Sequence, residues 1–464
     1  MTTINTKEIS HARERRRGAV APVDEKLPLK TLLAFGLQHV LVMAASPIAS
    51  VFLMSRVLGF DADLTASLLS ATFLICGLGT LLQSIGYSGF GSRLPFIMLP
   101  GGAPIILFIQ IAQQYDVATA SGAVILTALF YFVVLPVFKR MLKFFPSVVV
   151  GTMLILVGIN LVKILGFLIV GRNPDAPDFA DPTNIFLAFA TIGLTVLIAR
   201  FLRGVFKQLA ILGGLLGGTL IAFLAGAVHT DRLSLTPVIG VPEVLPFGMP
   251  TFDLIAAIPL MIFCMISMVE ATGQTVAIGE VVGKDLKKER DVARTIRGDA
   301  IISLLGGFFG TSLIITSGEN IGVVQATGIK SRWVTVSAGC MLIIISFLAP
   351  LTGAIQSIPD AVIGGTGLVL FAVVGVMGIE MLRRTNLRDS NNMYVVAVAL
   401  AVGLFPILVP GVYSNFPNGV AAFLGNGVAA GAITAAVLNA IFNHFSKEVR
   451  APADDKAVTA ESQC

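Results

Sequence analysis

From Leu29 to Asn443 the chain passes through one apolar stretch after another, each near the length of about 20 residues that a helix needs to cross a bilayer. Few architectures survive that constraint. Backbone polar groups in hydrocarbon must find partners within their own segment, so long apolar runs of this kind form a bundle of membrane helices. The charged fraction is 13%, where a soluble domain carries about 25%. The expected class is an all-α polytopic membrane protein. Fourteen spans are predicted, at residues 29–53, 65–85, 93–112, 120–138, 146–168, 185–200, 208–228, 253–273, 297–312, 314–328, 334–350, 360–381, 392–409 and 420–443.

Charge orients the bundle. With the N-terminus inside, every Lys and Arg except Arg56, Lys163, Arg172 and Arg232 falls in the tails, on inner loops or at inner ends of spans. The main clusters are Arg13, Arg15, Arg16 and Arg17, and the loop from Lys284 to Arg297. This inside-positive bias predicts cytoplasmic termini and residence in the cell (inner) membrane. Residues 1–28 and 444–464 read as solvated cytoplasmic tails without helical or strand periodicity. A basic tail also suits nucleic acid, but that reading is weak beside the orientation signal, and the expected macromolecular surroundings are lipid. No cleavable signal peptide is expected, because the basic start is followed by no short apolar core. Cys76, Cys264, Cys340 and Cys464 lack metal-ligand spacing and read as packing residues; neither a metal nor a cofactor is expected.

Two of the predicted spans are interrupted. The third reads Leu94 to Leu99, then Pro100-Gly101-Gly102-Ala103-Pro104, then an apolar run. Glycine followed by proline in the first turn is what a helix start looks like, and here it falls in mid-span. The tenth repeats this with Thr316-Ser317-Gly318 before Glu319-Asn320. The two are seven spans apart, and an odd interval reverses topology between halves. Broken segments at corresponding places in inverted halves point to a transport site near the bilayer midplane. The alternative is that Gly and Pro are simply common in membrane helices.

Acids inside such a protein need a reason. Glu270 lies within the eighth span with Gln274 four residues on, hence on the same helix face. A charge at the bilayer centre costs about 2.5–3.5 kcal/mol on insertion scales, so Glu270 should face a cavity, a partner helix or a ligand. Asp299 reads either as a helix-start acid matching the dipole or as a buried group tied to the site. His39 reads either as a satisfied core histidine or as part of the site. Asp61, Asp63, Asp175, Asp178 and Asp181 belong to outer loops, where no chemistry is expected, and Glu280 and Glu380 read as surface groups.

The run Glu319-Asn320-Ile321-Gly322 through Thr327-Gly328 resembles the signature of the nucleobase–ascorbate transporters, the nucleobase:cation symporter family 2. Glu270-Ala271-Thr272-Gly273, Gln38-His39 and the Asp299-to-Glu319 spacing add to the resemblance, which covers roughly residues 29–443. It implies two inverted seven-span repeats. A core domain would comprise residues 29–138 (spans 1–4) and 253–350 (spans 8–11); a gate domain that also dimerises would comprise 139–252 and 351–443. Short β-strands would precede the half-helices of spans 3 and 10. The resemblance also makes Glu270 and Glu319 the binding carboxylates, with His39 and Asp299 supporting the site or proton coupling.

The chemistry fits that implication. A nucleobase edge offers ring N–H donors and carbonyl acceptors, and an ionised carboxylate only accepts. Glu270 and Glu319, with Gln274 and Asn320, could take ring N–H groups, while backbone N–H groups at Gly101, Gly102, Ala103, Ser317 and Gly318 could serve ring carbonyls. Gly101-Gly102-Ala103 stands where the family often has a Ser, Thr or Asn near an aromatic, which predicts a roomier, less polar pocket. Glu319 resembles uracil-type members, whereas the Glu270 run resembles urate and xanthine carriers. A proton-coupled purine carrier is therefore expected, with uracil as the alternative. Membrane hydrolysis is disfavoured, because the chain has no zinc-type His cluster and no Gly-Tyr-Gly-Asp-like pair. An anion carrier of similar fold is the other rival, although two acids would repel an anion.

Overall fold

The computed structural model describes residues 21–141, 146–171, 173–228, 240–348 and 357–445. The arginine cluster at 13–17, Arg172, Arg232, Cys464 and residues 446–464 lie outside the described residues. Helices of eight or more residues are, in order, α1 (Leu29–Met43), α2 (Ala45–Leu58), α3 (Ala62–Ile85), α4 (Gly102–Gln114), α5 (Val117–Val134), α6 (Ser147–Val170), α7 (Pro182–Phe201) and α8 (Ala210–Leu224). There follow α9 (Leu254–Val282), α10 (Lys288–Phe308), α11 (Glu319–Thr327), α12 (Arg332–Ser346), α13 (Asp360–Arg383), α14 (Ser390–Leu408), α15 (Asn418–Gly425) and α16 (Gly427–Ala440). Strand β1 (Met98–Pro100) immediately precedes α4, and β2 (Ile314–Thr316) precedes α11.

Among the described residues eight helices are long and apolar enough to cross a membrane, with α1 and α2 counted as one, and α4, α8, α12 and α16 are shorter apolar helices. Local chemistry sets their ends. Asp61, Asp116, Asp181 and Asp253 cap α3, α5, α7 and α9 by accepting backbone N–H bonds from the first turn. Asp61 and Asp181, expected from the sequence in outer loops, thus act as caps. The break between α1 and α2 at Ala44 comes three residues before Pro47, whose missing N–H interrupts the helical ladder. Arg56, one of the outward cations, forms an ion pair with Asp360 at 2.8 Å.

The chain divides into two compact units, one of Met1–Phe138 and Val157–Val374, the other of Lys139–Leu156 and Gly375–Cys464. In the first, α3 and α1 pack on α12, α5 packs on α9 and α10, and α7 pairs with α8. In the second, α14 packs along α16, and Val148, Val149, Leu382, Val395, Ala399 and Ala435 make a small core.

Where the sequence reads residues 1–28 as a solvated tail, the structure shows their last part docked. Val23 is buried with Leu94, Phe96, Ile278, Val282 and Val324. Arg332 pairs with Asp24 at 2.6 Å and donates to the Ser84 carbonyl at 2.8 Å, while Ser331 Oγ donates to the Glu25 carbonyl at 2.6 Å. A valine in the short run Ala19-Val20-Ala21-Pro22-Val23 carries no helical periodicity, yet its burial stabilises the docked segment by about 1.5–3 kcal/mol.

The loop between α3 and β1 is equally fixed. Gly91 adopts φ +76°, its N–H donates to the Arg294 carbonyl at 3.0 Å, and a Cβ there would be driven into the Leu82 carbonyl oxygen. A left-handed residue with a side chain costs about 1–2 kcal/mol before any clash. Gly91→Ala is therefore expected to lower the thermal midpoint of the purified protein clearly, while alanine at Gly411, also left-handed but with nothing near its Cβ position, costs less. Equal midpoints for the two variants would refute the packing argument.

A candidate substrate site at two helix openings

Irregular backbone at membrane depth survives only where its polar groups are met, and here they are. β1 and β2 pair antiparallel with Met98 opposite Thr316, Leu99 opposite Ile315 and Pro100 opposite Ile314. Two more bonds extend the ladder: Gly101 N–H to the Leu313 carbonyl at 3.1 Å, and Ser317 N–H to the Ile97 carbonyl at 2.9 Å. Side chains satisfy the remaining edges. Thr80 Oγ1 of α3 accepts from Met98 N–H at 3.1 Å, and Ser303 Oγ of α10 donates to the Ile314 carbonyl at 3.0 Å.

The ladder sets the starts of α4 and α11 at its two ends, Gly101 beside Leu313 and Ser317 beside Ile97. Neither helix has a side-chain cap, so first-turn N–H groups are left for a ligand. Gly101 and Ala103 are buried, and Gly102 is half-buried. A Cβ at Gly101 would stand 3.0 Å from Ile315 Cδ1, and one at Gly102 would stand 3.0 Å from the Phe371 ring. The opening of α4 is thus fitted to its surroundings.

Ser317 and Gly318 are half-buried at the opening of α11. A Cβ at Gly318 would lie 3.0 Å from Gln274 Nε2, so the start of α11 rests on the face of α9 that carries Gln274 and, one turn earlier, Glu270. The Gln274 Oε1 is buried without a hydrogen-bond partner. Glu270 sits near the middle of α9 and is half-buried, whereas Glu319 is exposed at the first position of α11. No hydrogen bond or ion pair to either carboxylate is made among the described residues. Two acids and an amide oxygen with unfilled capacity therefore lie at or beside the uncapped start of α11.

Asn320 turns elsewhere. It is fully buried, and its Nδ2 donates to the Pro95 carbonyl, tying α11 to the segment that leads into β1; its Oδ1 is unpartnered. His39 is buried in α1, where Nδ1–H donates to the Phe35 carbonyl at 2.9 Å, leaving Nε2 without a partner. α1 packs against α11 and α12, but no hydrogen bond joins His39 to Glu270 or Asp299 among the described residues.

Asp299 is not a helix-start acid. α10 begins at Lys288, ahead of the predicted ninth span, because the charged residues of the basic loop continue the helix inward. Asp299 lies buried inside it, and its Oδ1 accepts from Thr316 Oγ1 at 2.6 Å and from Gln83 Nε2 at 3.0 Å. Sequence reasoning missed Gln83, Thr316, and the Thr275–Thr295 bond of 2.8 Å that joins α9 to α10. The signal for Gln83 was a single amide near the inner end of an otherwise apolar span. Nearby, half-buried Lys284 donates to the carbonyls of Ser92 and Arg93 at 2.8 and 3.0 Å; desolvation lowers its pKa, partly offset by Asp291. A cavity of about 260 Å³ lined by Phe52, Ser55, Arg56, Phe60, Asp61, Ala62 and Thr65 shares no residue with the openings.

Helices that open beside polar groups, within a bundle of apolar helices, point to a membrane transporter. The permease family (Xan_ur_permease) matches residues 30–412, and the chain belongs to it. It is a multi-pass membrane permease, not an enzyme, of the nucleobase–ascorbate transporter family. The chain is 32% identical over 415 residues to the xanthine permease of Bacillus subtilis (strain 168), covering 89% of this chain and 94% of that one. It is 31% identical over 441 residues to the uric acid transporter UacT of Escherichia coli (strain K12), covering 94% and 91%. Identity to the uracil permease of Bacillus subtilis (strain 168) is 27% over 432 residues, covering 90% of this chain and 93% of that one. In fold it is similar to the transmembrane domain of the cyanobacterial bicarbonate transporter BicA, with a TM-score of 0.60 at 18% identity, covering 86% of this chain and 99% of that one.

Proposed function

We propose that the protein takes up a nucleobase, with a purine such as xanthine or urate as substrate, by proton symport across the cell (inner) membrane. The observation that carries this reading is the pair of unbonded acids, Glu270 and Glu319, at and beside the uncapped start of α11, with the uncapped start of α4 at the other end of the strand ladder. Acceptors on one side and N–H donors on the other match the alternating edge of an oxopurine. Gln274 adds an amide with a free oxygen; Gly101, Gly102, Ala103, Ser317 and Gly318 supply close backbone, and Asn320 holds α11 in place. The 32% and 31% identity to the Bacillus subtilis xanthine permease and to UacT, against 27% to the uracil permease, favours a purine, and XanP of Escherichia coli stands at 27% as well. Uracil is the second reading, supported by Glu319 at the first signature position.

Coupling follows from charge. A carboxylate that takes up a proton with the base is cheaper to move through a low-dielectric barrier than an ionised one, and Glu270 is the residue for that role, with His39 and Asp299 in support. The proposal includes two inverted seven-span repeats, a substrate-carrying core (29–138 and 253–350) that moves like an elevator against a gate (139–252 and 351–443), cytoplasmic termini and a homodimer formed through the gate. The coupling ion is the proton, and no cofactor is required.

The experiment is uptake of labelled xanthine, urate and uracil in cells lacking their own carriers. At least one base should accumulate, other bases should compete, and sulfate or bicarbonate should have no effect. Collapse of the proton gradient should remove accumulation. Competition by sulfate or bicarbonate would instead favour an anion carrier, and unchanged accumulation without a gradient would refute proton symport.

A further inference from the structure

We infer that Gln83 of α3 is a positioning residue for the substrate site, acting through Thr316 and Asp299 on the opening of α11. The inference rests on the proposed binding role of that opening and adds a residue that does not itself touch the substrate.

Gln83 is completely buried, and both ends of its amide are engaged. Nε2 lies 2.8 Å from the Thr295 carbonyl, 3.0 Å from Asp299 Oδ1 and 3.3 Å from Thr316 Oγ1. Oε1 accepts from Ser92 N–H at 3.3 Å. These partners fix the amide's orientation: a carbonyl and a carboxylate can only accept, and a backbone N–H can only donate. Thr316 gives its own hydroxyl proton to Asp299 at 2.6 Å, so its oxygen is free to accept from Gln83. The triad is closed and directional. The space for it comes from Gly298, where a Cβ would run into the Gln83 amide.

Position in the fold turns this knot into a functional device. Thr316 is the last residue of β2, and Ser317 and Gly318 link it directly to the first turn of α11. Gly318 rests against Gln274, so a displacement of Thr316 moves the N–H groups of that turn and the Glu319 carboxylate together. Gln83 also holds Ser92 in the loop that leads to β1. A single amide therefore ties the end of β2, and the loop that leads to β1, to α10.

The test separates positioning from support. Gln83→Met keeps length and removes every hydrogen bond; Gln83→Glu keeps an acceptor for Ser92 and removes the donor. Uptake of labelled xanthine, urate and uracil is measured with surface abundance and the melting midpoint of the purified protein. Both variants should raise the KM of the transported base about five- to tenfold in the protein that reaches the membrane, the effect of one lost hydrogen bond on binding, alongside a lower melting midpoint from the buried partners left unpaired. Thr316→Val breaks the same link from the other side and should raise KM similarly, and the pair Gln83→Met with Thr316→Val should do little more than either alone. Unchanged KM overturns the inference, whether abundance holds or falls, and so does full additivity of the pair. Failure of the site reading looks different: Glu270→Gln and Glu319→Gln would then keep normal uptake, whatever Gln83 does.

Discussion

Glu270→Gln is expected to abolish accumulation of the transported base while the protein still reaches the membrane. The glutamine keeps the shape of the side chain but replaces a pure acceptor with a group that also donates. A charge-assisted hydrogen bond contributes about 1.5–3 kcal/mol, so binding should weaken roughly 10- to 150-fold. The loss should exceed the binding effect alone, because the variant also lacks the group assigned to carry the proton. Counterflow of labelled against unlabelled base separates the two contributions: exchange at high substrate can persist where uphill accumulation cannot. Glu319→Gln should likewise weaken uptake, since Glu319 opens α11 beside Gln274. Normal uptake in both variants would move the binding site away from α9 and α11.

Replacing Asp299 should instead act mainly on stability. Asp299→Leu removes the acceptor for Thr316 Oγ1 and one acceptor for Gln83 Nε2 in a fully buried setting. Each buried polar group left without a partner costs about 1–3 kcal/mol, so a loss of about 2–4 kcal/mol is expected, read as a drop of several degrees in the melting midpoint in detergent. Asp299→Asn retains one oxygen to accept from Thr316 and should keep most of that stability. Its uptake then reports on charge alone. If the Asn variant folds as the parent does yet shows only background uptake, Asp299 has a charge role beyond holding β2. A Leu variant as stable as the parent would contradict the hydrogen-bond assignment.

The apolar runs, the two interruptions and Glu270 were legible because each is a local contrast: polar or breaker residues inside hydrocarbon-length stretches. The predicted spans overlap the helices, but their ends shift where charge continues a helix. Lys288–Phe308 starts well before the apolar run at 297, which is why the sequence left Asp299 open between a helix start and a buried group. Val23 and Gln83 stayed hidden for another reason. Each is one residue whose role depends on partners far along the chain, Val23 on Ile278 and Val324, and Gln83 on Thr295 and Thr316. No periodicity encodes such contacts. The orientation of Asn320 toward Pro95 was hidden likewise, since a signature motif gives residue types and not the direction of a side chain.

The antiparallel ladder has a consequence for biosynthesis. Met98–Pro100 finds its partner only when Ile314–Thr316 has been made, roughly 200 residues later. At about 5–20 residues per second the ribosome needs about 10–40 s for that stretch. Through this interval the first strand has no mate, and its exposed amides and carbonyls cannot rest in acyl chains. The nascent N-terminal half must therefore wait in a hydrated or proteinaceous shelter until its counterpart emerges.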